Sequence, residues 1–330
     1  MPWVPIVKRV IMLFVVIIAA ASINFVLPKL APKNPVEDKI MEHAENGAQM
    51  NDISGLVAAY NEKFGLDKPI MVQYFNYLEG LATFDLGYSI TFYPTKVSDM
   101  ILNALPWTIG LVFTSTIIAF LLGSVLGALV AWRNSARIIK YLVPGFMVLA
   151  ALPYYLLGLV MIYLFAFIWR IFPLSGGYSM FAIPSMDWSY IADVLHHSLL
   201  PALSIVLTSV GTWALAMRGM MVTVQGEDYM VYAEANGIGP VRRFLGYGVR
   251  NAMLPQITTL ALHIGHIAGG AVLVERVFGY PGLGMVLFQA IEGADYFVIY
   301  GVVLMIIVMV ALAMFLMDLL GPVIDPRVKL

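Results

Sequence analysis

The residue types that could carry chemistry are concentrated on one face of an apolar segment, residues 253–274. That face consists of Gln256, Thr259, His263, His266 and Gly270, which recur at helical intervals. Histidine exchanges protons near neutral pH, so the pair His263 and His266 is suited to a proton relay. Ionisable groups in an apolar helix usually face a wet cavity or the interior of a bundle. This polar stripe therefore predicts either the lining of a path or a buried helix contact.

Two further small polar side chains, Ser204 and Thr208, stand one helical turn apart in residues 198–217. Their hydroxyl groups could line the same path. Alternatively, they could donate hydrogen bonds to carbonyl groups one turn back in their own helix. We favour the second arrangement and keep both residues as candidates for the path.

Motifs for enzymatic chemistry are absent from the sequence. The chain has no cysteine, which excludes disulfides, thiol catalysis and cysteine metal sites. It has no Gly-x-x-x-x-Gly-Lys-Ser/Thr run to cradle nucleotide phosphates, no Gly-x-Ser-x-Gly and no His-Glu-x-x-His. We therefore expect no catalytic residue, no metal and no cofactor on this chain. Any use of ATP would belong to a partner.

A long polar interruption, residues 217–255, separates two very apolar segments. Residues 228–236 suit a short amphipathic helix beginning at Asp228 and containing Glu234 and Ala235. Its predicted common face consists of Tyr229, Tyr232, Ala233 and Asn236. Gly237 follows, where a helix end favours a left-handed residue.

A second helix is predicted after the bend at Gly237. Pro240 suits its first position, and Arg242 and Arg243 follow directly. Positive charge beside membrane spans marks the cytoplasmic side. A helix, a bend and a helix at that face are either a docking site for a soluble partner or an ordinary loop.

The segment after the polar stripe, residues 275–296, is rich in glycine. Its distinctive residues are Glu275, Phe278, Pro281, Gly282 and Gly284. Glycine and proline at the end of a span suit a re-entrant or gating element, because non-helical backbone at membrane depth must lie against protein or water. The alternative is a plain external turn.

The elements that position these residues are membrane helices. The chain has 330 residues, of which 61% are hydrophobic, against about 45–50% in soluble domains. The sequence predicts an all-α integral membrane protein with six spans, at residues 10–27, 101–132, 141–168, 198–217, 253–274 and 297–320. Pro153 predicts a kink in the third span. Gly123 and Gly127 predict close helix contact in the second.

Lysine and arginine residues set the orientation, because they are enriched in cytoplasmic loops. With six spans, the cytoplasmic set is Lys8, Arg9, Arg133, Arg137, Lys140, Arg218, Arg242, Arg243, Arg250, Arg327 and Lys329. The shorter outer segments carry only Arg170 and Arg276. We therefore predict that the protein lies in the plasma membrane and that both termini are in the cytoplasm.

Three regions follow from this topology: residues 1–27 as the first span, 28–98 as an extracytoplasmic subdomain, and 99–330 as a core of five spans. The loop over residues 218–252 belongs to the core. The subdomain is aromatic-rich, with Tyr74, Phe75, Tyr77, Phe84, Tyr88, Phe92 and Tyr93. We expect most of these rings to form a small hydrophobic core. The alternative is a surface that faces a partner protein.

Several motifs resemble one family of transporters. They are Asp228-Tyr229, Ala233-Glu234-Ala235-Asn236-Gly237, Arg250-Asn251-Ala252-Met253-Leu254-Pro255, Phe64-Gly65-Leu66-Asp67-Lys68-Pro69, Asp85-Leu86-Gly87-Tyr88-Ser89 and Asp325-Pro326-Arg327. Together they look like the permeases of ATP-binding-cassette (ABC) importers, most closely the dipeptide/oligopeptide family. The loop over residues 218–252 is similar to that family's EAA-type coupling loop. It departs from the general pattern at Val231 and Tyr232, which stand in place of Glu-Ala.

The resemblance implies a membrane permease that works by alternating access. It implies a second homologous permease subunit, two cytosolic ATP-binding subunits that hold ATP and Mg²⁺, and an extracytoplasmic solute-binding protein. Surrounding lipid is expected and nucleic acid is not. Peptide is the default solute of this family and oligosaccharide the rival. The functional alternative is a proton-coupled transporter that uses His263 and His266. The lack of acidic partners inside the spans argues against this alternative.

Overall fold

The computed structural model describes residues 3–30, 41, 53–270 and 272–324. All regular elements in this part of the chain are helical, and an isolated β-bridge pairs Tyr88 with Lys96. The all-α prediction is therefore confirmed for the described residues. The predicted C-terminal motif at Asp325-Pro326-Arg327 lies outside them.

The helices follow the predicted spans with several changes in length. In chain order they are α1 Trp3–Lys29, α2 Ile53–Lys63, α3 Ile70–Thr83, α4 Val97–Ala131, α5 Leu142–Ala151, α6 Tyr154–Met161, α7 Trp188–Gln225, α8 Asp228–Ala235, α9 Arg250–Gly270, α10 Val272–Phe278, α11 Leu283–Glu292 and α12 Tyr296–Ile324. Single turns occupy Arg137–Lys140 and Pro240–Arg242. There are also two π-helical segments: Ile162–Ile168 directly follows α6, and Arg243–Val249 directly precedes α9.

Four of the described helices are long and apolar enough to cross a membrane. They are Val7–Lys29, Val97–Ala131, Trp188–Gln225 and Tyr296–Phe315. A fifth crossing is available if the broken pair Arg137–Ala151 and Tyr154–Ile168 counts as one span. The described part of α9, which covers most of the predicted fifth span, is not among them.

The third predicted span is not one kinked helix. The two halves meet at an angle of 98°, and the break falls at Leu152 and Pro153. Proline disfavours helical geometry in the residue before it, and Leu152 is accordingly extended, with ψ 125°. Pro153 then precedes the first turn of α6, where its missing N–H costs no helical hydrogen bond.

The fourth predicted span is a much longer helix. α7 has 38 residues and extends the predicted span, residues 198–217, by ten residues at its start and eight at its end. Pro201, which would stand in the first turn of a helix beginning at residue 198, therefore lies well inside the helix. The neighbouring histidines are bound locally: His196 Nε2 lies 3.1 Å from the carbonyl oxygen of Ile171, and His197 Nδ1 lies 2.9 Å from that of Asp193.

The helix pair α4 and α7 forms the most extensive contact of the fold. Gly123 and Gly127 lie where the two helices cross. A Cβ atom on Gly127 would come within 2.2 Å of the carbonyl oxygen of Ala214, and one on Gly123 within 2.5 Å of Trp213 Cβ. The close approach predicted from the Gly-x-x-x-Gly pair is therefore confirmed.

The helix α3 packs across the C-terminal end of α1 and the N-terminal end of α12, and α2 packs against Ile90 and against Phe297 at the start of α12. On α3, Tyr77 contacts the rings of Phe25 and Tyr300 at centroid distances of 5.4 and 5.2 Å, and Tyr74 contacts Phe25 at 5.4 Å. The prediction that most aromatic side chains of this region form a core is wrong. The exposed ones are Phe75, Phe84, Tyr88, Phe92 and Tyr93. Tyr74 and Tyr77 differ because they share the face of α3 that meets α1.

Candidate functional site

The predicted coupling helix is present as α8. It ends as expected: Gly237 is left-handed at φ 73°, and the amide of Ile238 donates to the carbonyl of Ala233 at 3.1 Å. The amide of Gly237 donates to Glu234 O at 2.9 Å. These bonds satisfy carbonyl groups that the helix end leaves open. Pro240 begins the next helical turn, as the sequence predicts.

The buried face of α8 differs from the predicted one. Met230 and Ala233 are buried, whereas Tyr232 is 69% exposed and Asn236 is exposed. Tertiary packing decides this, because α8 lies against the π-helical segment Arg243–Val249. The helix therefore leaves Tyr232 and its neighbour Val231 exposed on its surface.

The inward side of α8 carries an ion pair. Glu234 Oε2 lies 2.7 Å from Arg243 Nη1 and 3.7 Å from Arg133 Nη2. The hydrogen bond and charge of Arg243 hold the pKa of Glu234 below its usual value. Arg242 is exposed. Sequence reasoning assigned Arg133 only to topology and missed this contact, because the two residues are distant in the chain.

The outer segment, residues 275–296, is built around a buried carboxylate. Glu275 is fully buried and accepts hydrogen bonds from Thr108 Oγ1 at 2.7 Å, from the amide of Gly284 at 2.6 Å and from the amide of Met285 at 3.3 Å. Thr108 Oγ1 also accepts from the amide of Leu283 at 2.8 Å. Together these groups satisfy the amides at the start of α11. The segment is therefore a packed helical element rather than a simple turn.

Two glycines allow this arrangement. A Cβ atom on Gly282 would lie 2.3 Å from the carboxylate of Glu275, and one on Gly284 would lie 2.4 Å from Val272 Cα. Phe278 is buried beside Gly158, and Pro281 lies against Gly177. The residues singled out in the sequence thus pack into one cluster that joins α4, α6, α10 and α11.

The polar stripe of α9 is not uniform. Gln256 is buried, while Thr259 and His263 are exposed in the single chain. The ring of His263 lies 5.2 Å from that of Trp213. His266 and Gly270 lie outside the residues whose side chains are described. The described stripe therefore begins in the subunit interior and reaches its surface within two turns.

The hydroxyl groups of α7 bond to their own helix. Ser204 Oγ donates to the carbonyl of Pro201 at 2.8 Å, and Thr208 Oγ1 donates to that of Ser204 at 3.0 Å. Both side chains are buried. This is the second of the two arrangements that the sequence allowed, so neither hydroxyl is presented to a path in this conformation.

One further buried carboxylate, Asp295, was missed by sequence reasoning. It accepts hydrogen bonds from Ser89 Oγ at 2.5 Å, from the amide of Thr91 at 2.9 Å and from the amide of Val298 at 3.3 Å. It therefore joins the start of α12 to the loop before α4. An aspartate directly before an apolar helix is a capping signal that could have identified its local role.

Comparisons with known proteins cover almost the whole chain. The family described as "Binding-protein-dependent transport system inner membrane component" matches residues 123–330. A putative peptide permease protein of Brucella suis is 35% identical over 321 residues, which is 95% of each chain. The oligopeptide transport system permease protein AppB of Bacillus subtilis is 30% identical over 325 residues, 98% of each chain. The dipeptide transport system permease protein DppB of Escherichia coli K12 is 29% identical over 342 residues, 98% of each chain.

Proposed function

We propose that this chain carries peptides. It belongs to the family of inner-membrane components of binding-protein-dependent transport systems and is a transmembrane subunit of an ABC importer. One observation supports this solute class: three relatives matched over 95–98% of their length are named as peptide, oligopeptide and dipeptide permeases. None of these names supports the proton-coupled alternative or an oligosaccharide.

The proposed topology has six spans and two cytoplasmic termini. The broken pair α5 and α6 forms one bent span in this proposal, and α9 forms the fifth. The asymmetry of lysine and arginine between the two sides supports it. We retain the division into residues 1–27, 28–98 and 99–330, with the loop over residues 218–252 on the cytoplasmic side.

The proposed partners follow from the family's dependence on a binding protein. An extracytoplasmic protein delivers the solute, a second homologous permease subunit completes the path, and two cytosolic subunits bind ATP and Mg²⁺. The exposed surface of α8 supports a protein contact on the cytoplasmic side, because Val231 and Tyr232 are 62% and 69% exposed.

Alternating access is the proposed mechanism. ATP binding brings the two ATPase subunits together, and α8 transmits that movement to α7 and α9, between which it lies in the chain. ATP can shift the equilibrium between inward-open and outward-open arrangements only because it binds one of them better. The coupling residues in this proposal are Asp228, Tyr229, Tyr232, Ala233, Glu234, Ala235, Gly237, Arg242 and Arg243.

We propose the polar stripe of α9 as the path and the outer segment as its external gate. The path residues are Gln256, Thr259, His263, His266 and Gly270, and the gate residues are Glu275, Phe278, Pro281, Gly282 and Gly284. Ser204 and Thr208 leave the set, because their hydroxyl groups are buried and bonded within α7.

Uptake into proteoliposomes tests the function. The complex is purified with its partners, loaded with ATP on the ATPase side and offered labelled dipeptides, longer peptides or oligosaccharides with the binding protein. We expect peptide uptake that requires hydrolysable ATP. Uptake of oligosaccharide alone would overturn the solute class, and uptake driven by a proton gradient without ATP would overturn the mechanism.

A double variant, His263→Leu with His266→Leu, tests the path. Leucine removes both titratable rings and makes this part of the stripe apolar. We expect altered peptide uptake with unchanged co-purification of the partners. Wild-type uptake in this variant would show that the histidines lie outside the path.

A further inference from the structure

The cytoplasmic ends of α4 and α7 are joined by one side chain, Gln225. Its Nε2 donates to the carbonyl of Ala131 at 3.0 Å and to that of Met221 at 3.1 Å. Its Oε1 accepts from the amide of Arg133 at 3.3 Å. Beneath these bonds, Ala128, Met217, Met221 and Ala252 form a buried cluster. The ends of α4, α7 and α9 therefore meet in one packed region.

Besides the packed side chains Met230 and Ala233, Glu234 connects the helix α8 to this region. Its carboxylate reaches Arg243, which leads into α9, and Arg133, which follows α4. A small open hollow of about 40 Å³ lies between Trp132, Met230 and these charged groups.

The two arginines differ in their surroundings. The Arg243 side chain is only 14% exposed, whereas those of Glu234 and Arg133 are 52% and 72% exposed. The close contact with Arg243 is thus shielded from water on one side, and the longer contact with Arg133 is solvated. Shielding strengthens an ion pair relative to a solvated one. Arg243 is therefore the principal partner.

We propose that Glu234 is a positioning residue that fixes the orientation of α8 relative to α4 and α9, rather than a residue that contacts the ATPase. The carboxylate faces its own subunit, while Val231 and Tyr232 on the same helix are left to a partner. This inference rests on the proposed role of α8 in coupling. Movement of α8 then reaches two membrane helices through one carboxylate.

The test measures coupling in the intact transporter: molecules of peptide taken up per molecule of ATP hydrolysed. In Glu234→Gln the charge is lost and the shape is kept, and we expect this ratio to fall roughly threefold, since partly exposed ion pairs contribute modestly. The charge exchange Glu234→Arg with Arg243→Glu should recover most of the ratio, whereas each single reversal should not. Co-purification of the ATPase should be unchanged in Glu234→Gln.

The matched control is Asp193→Asn, which removes the charge of a carboxylate that lies 3.3 Å from His197 Nδ1 on α7, outside the residues proposed for coupling, path and gate. It should leave the ratio at the wild-type value. The inference would be overturned if Glu234→Gln left the ratio of peptide uptake to ATP hydrolysis unchanged. It would also be overturned if the charge-exchanged variant assembled into a folded complex but did not recover that ratio. Loss of the ATPase from Glu234→Gln would show a direct contact instead. Absence of ATP-driven uptake in the wild type would count against the proposed function itself.

Discussion

The proposed coupling helix α8 and the outer segment are both short elements inserted between longer helices, but they are held in opposite ways. Glu234 makes its contacts at the edge of the solvent, and α8 keeps a large exposed face. Glu275 is fully buried, and each of its contacts lies inside the protein. The comparison indicates that α8 leaves a face open to a protein contact of the kind proposed for it, whereas residues 275–296 are held by bonds inside their own subunit.

The largest effect is expected from Glu275→Ala. Thr108 and the amides of Gly284 and Met285 would lose their acceptor without gaining water, which costs about 3 kcal/mol in free energy of unfolding. Thermal denaturation of the purified complex in detergent should show a clear fall in melting temperature. Glu275→Gln keeps one acceptor oxygen and should lose less. If both variants melted at the wild-type temperature, the buried contacts of Glu275 would not stabilise the protein, and the contrast with the contacts of Glu234 at the solvent edge would not hold.

A smaller loss of stability is expected from Gly284→Ala. The new Cβ would meet the backbone of Val272, and overpacking of this kind costs about 2 kcal/mol. The control is Gly219→Ala, where no atom lies within 4 Å of the new Cβ. That substitution in a helix interior should be neutral or stabilising by up to about 1 kcal/mol. The same thermal assay checks both, and a tolerated Gly284→Ala would argue against a tightly packed outer segment.

In the coupling loop, Gly237→Ala should cost about 1 kcal/mol, because alanine is strained at a left-handed φ even where space is open. Gly239→Ala is the matched control, since Gly239 has an ordinary φ of −60° and equally open space. We expect reduced peptide uptake in the first variant and wild-type uptake in the second. Equal uptake would show that the bend after α8 has no role in coupling.

The smallest effect on stability is expected from Tyr232→Ala, within about 0.5 kcal/mol, because the side chain is exposed. Its effect should appear in assembly instead, as a roughly tenfold loss of ATPase co-purification, as for an aromatic residue central to an interface. Tyr141→Ala is a control with a similarly exposed ring. If both variants retain the ATPase, the exposed face of α8 is not the docking surface.

Much of the local structure could be predicted from the sequence. The bend at Gly237, the start at Pro240 and the close contact at Gly123 and Gly127 are all present. Each depends on a backbone preference or a small side chain that acts over a few residues. The third span shows the limit of such reasoning, because Pro153 predicted a kink and the structure has a break of 98°. The angle depends on what each half packs against.

The functional clusters could be predicted only in part. Glu275 and its glycines were recognised as a group, but Thr108, which is 167 residues away, was not. Asp295 and Ser89 are 206 residues apart and were not paired. No periodic pattern reports such contacts, because they depend on how helices meet rather than on the order of residues within one of them.

The sequence by itself determined the helical membrane class, the polar loop that contains α8 and the resemblance to a transporter family, because hydropathy and helix-ending signals are local properties of the chain. Only the tertiary structure decided which face of α8 is buried, which arginine Glu234 meets and which carboxylates are sealed from water. Those outcomes follow from competition among many possible contacts for the same interior space. The folded structure is the arrangement that satisfies the hydrogen bonds of buried polar groups while keeping the helices closely packed.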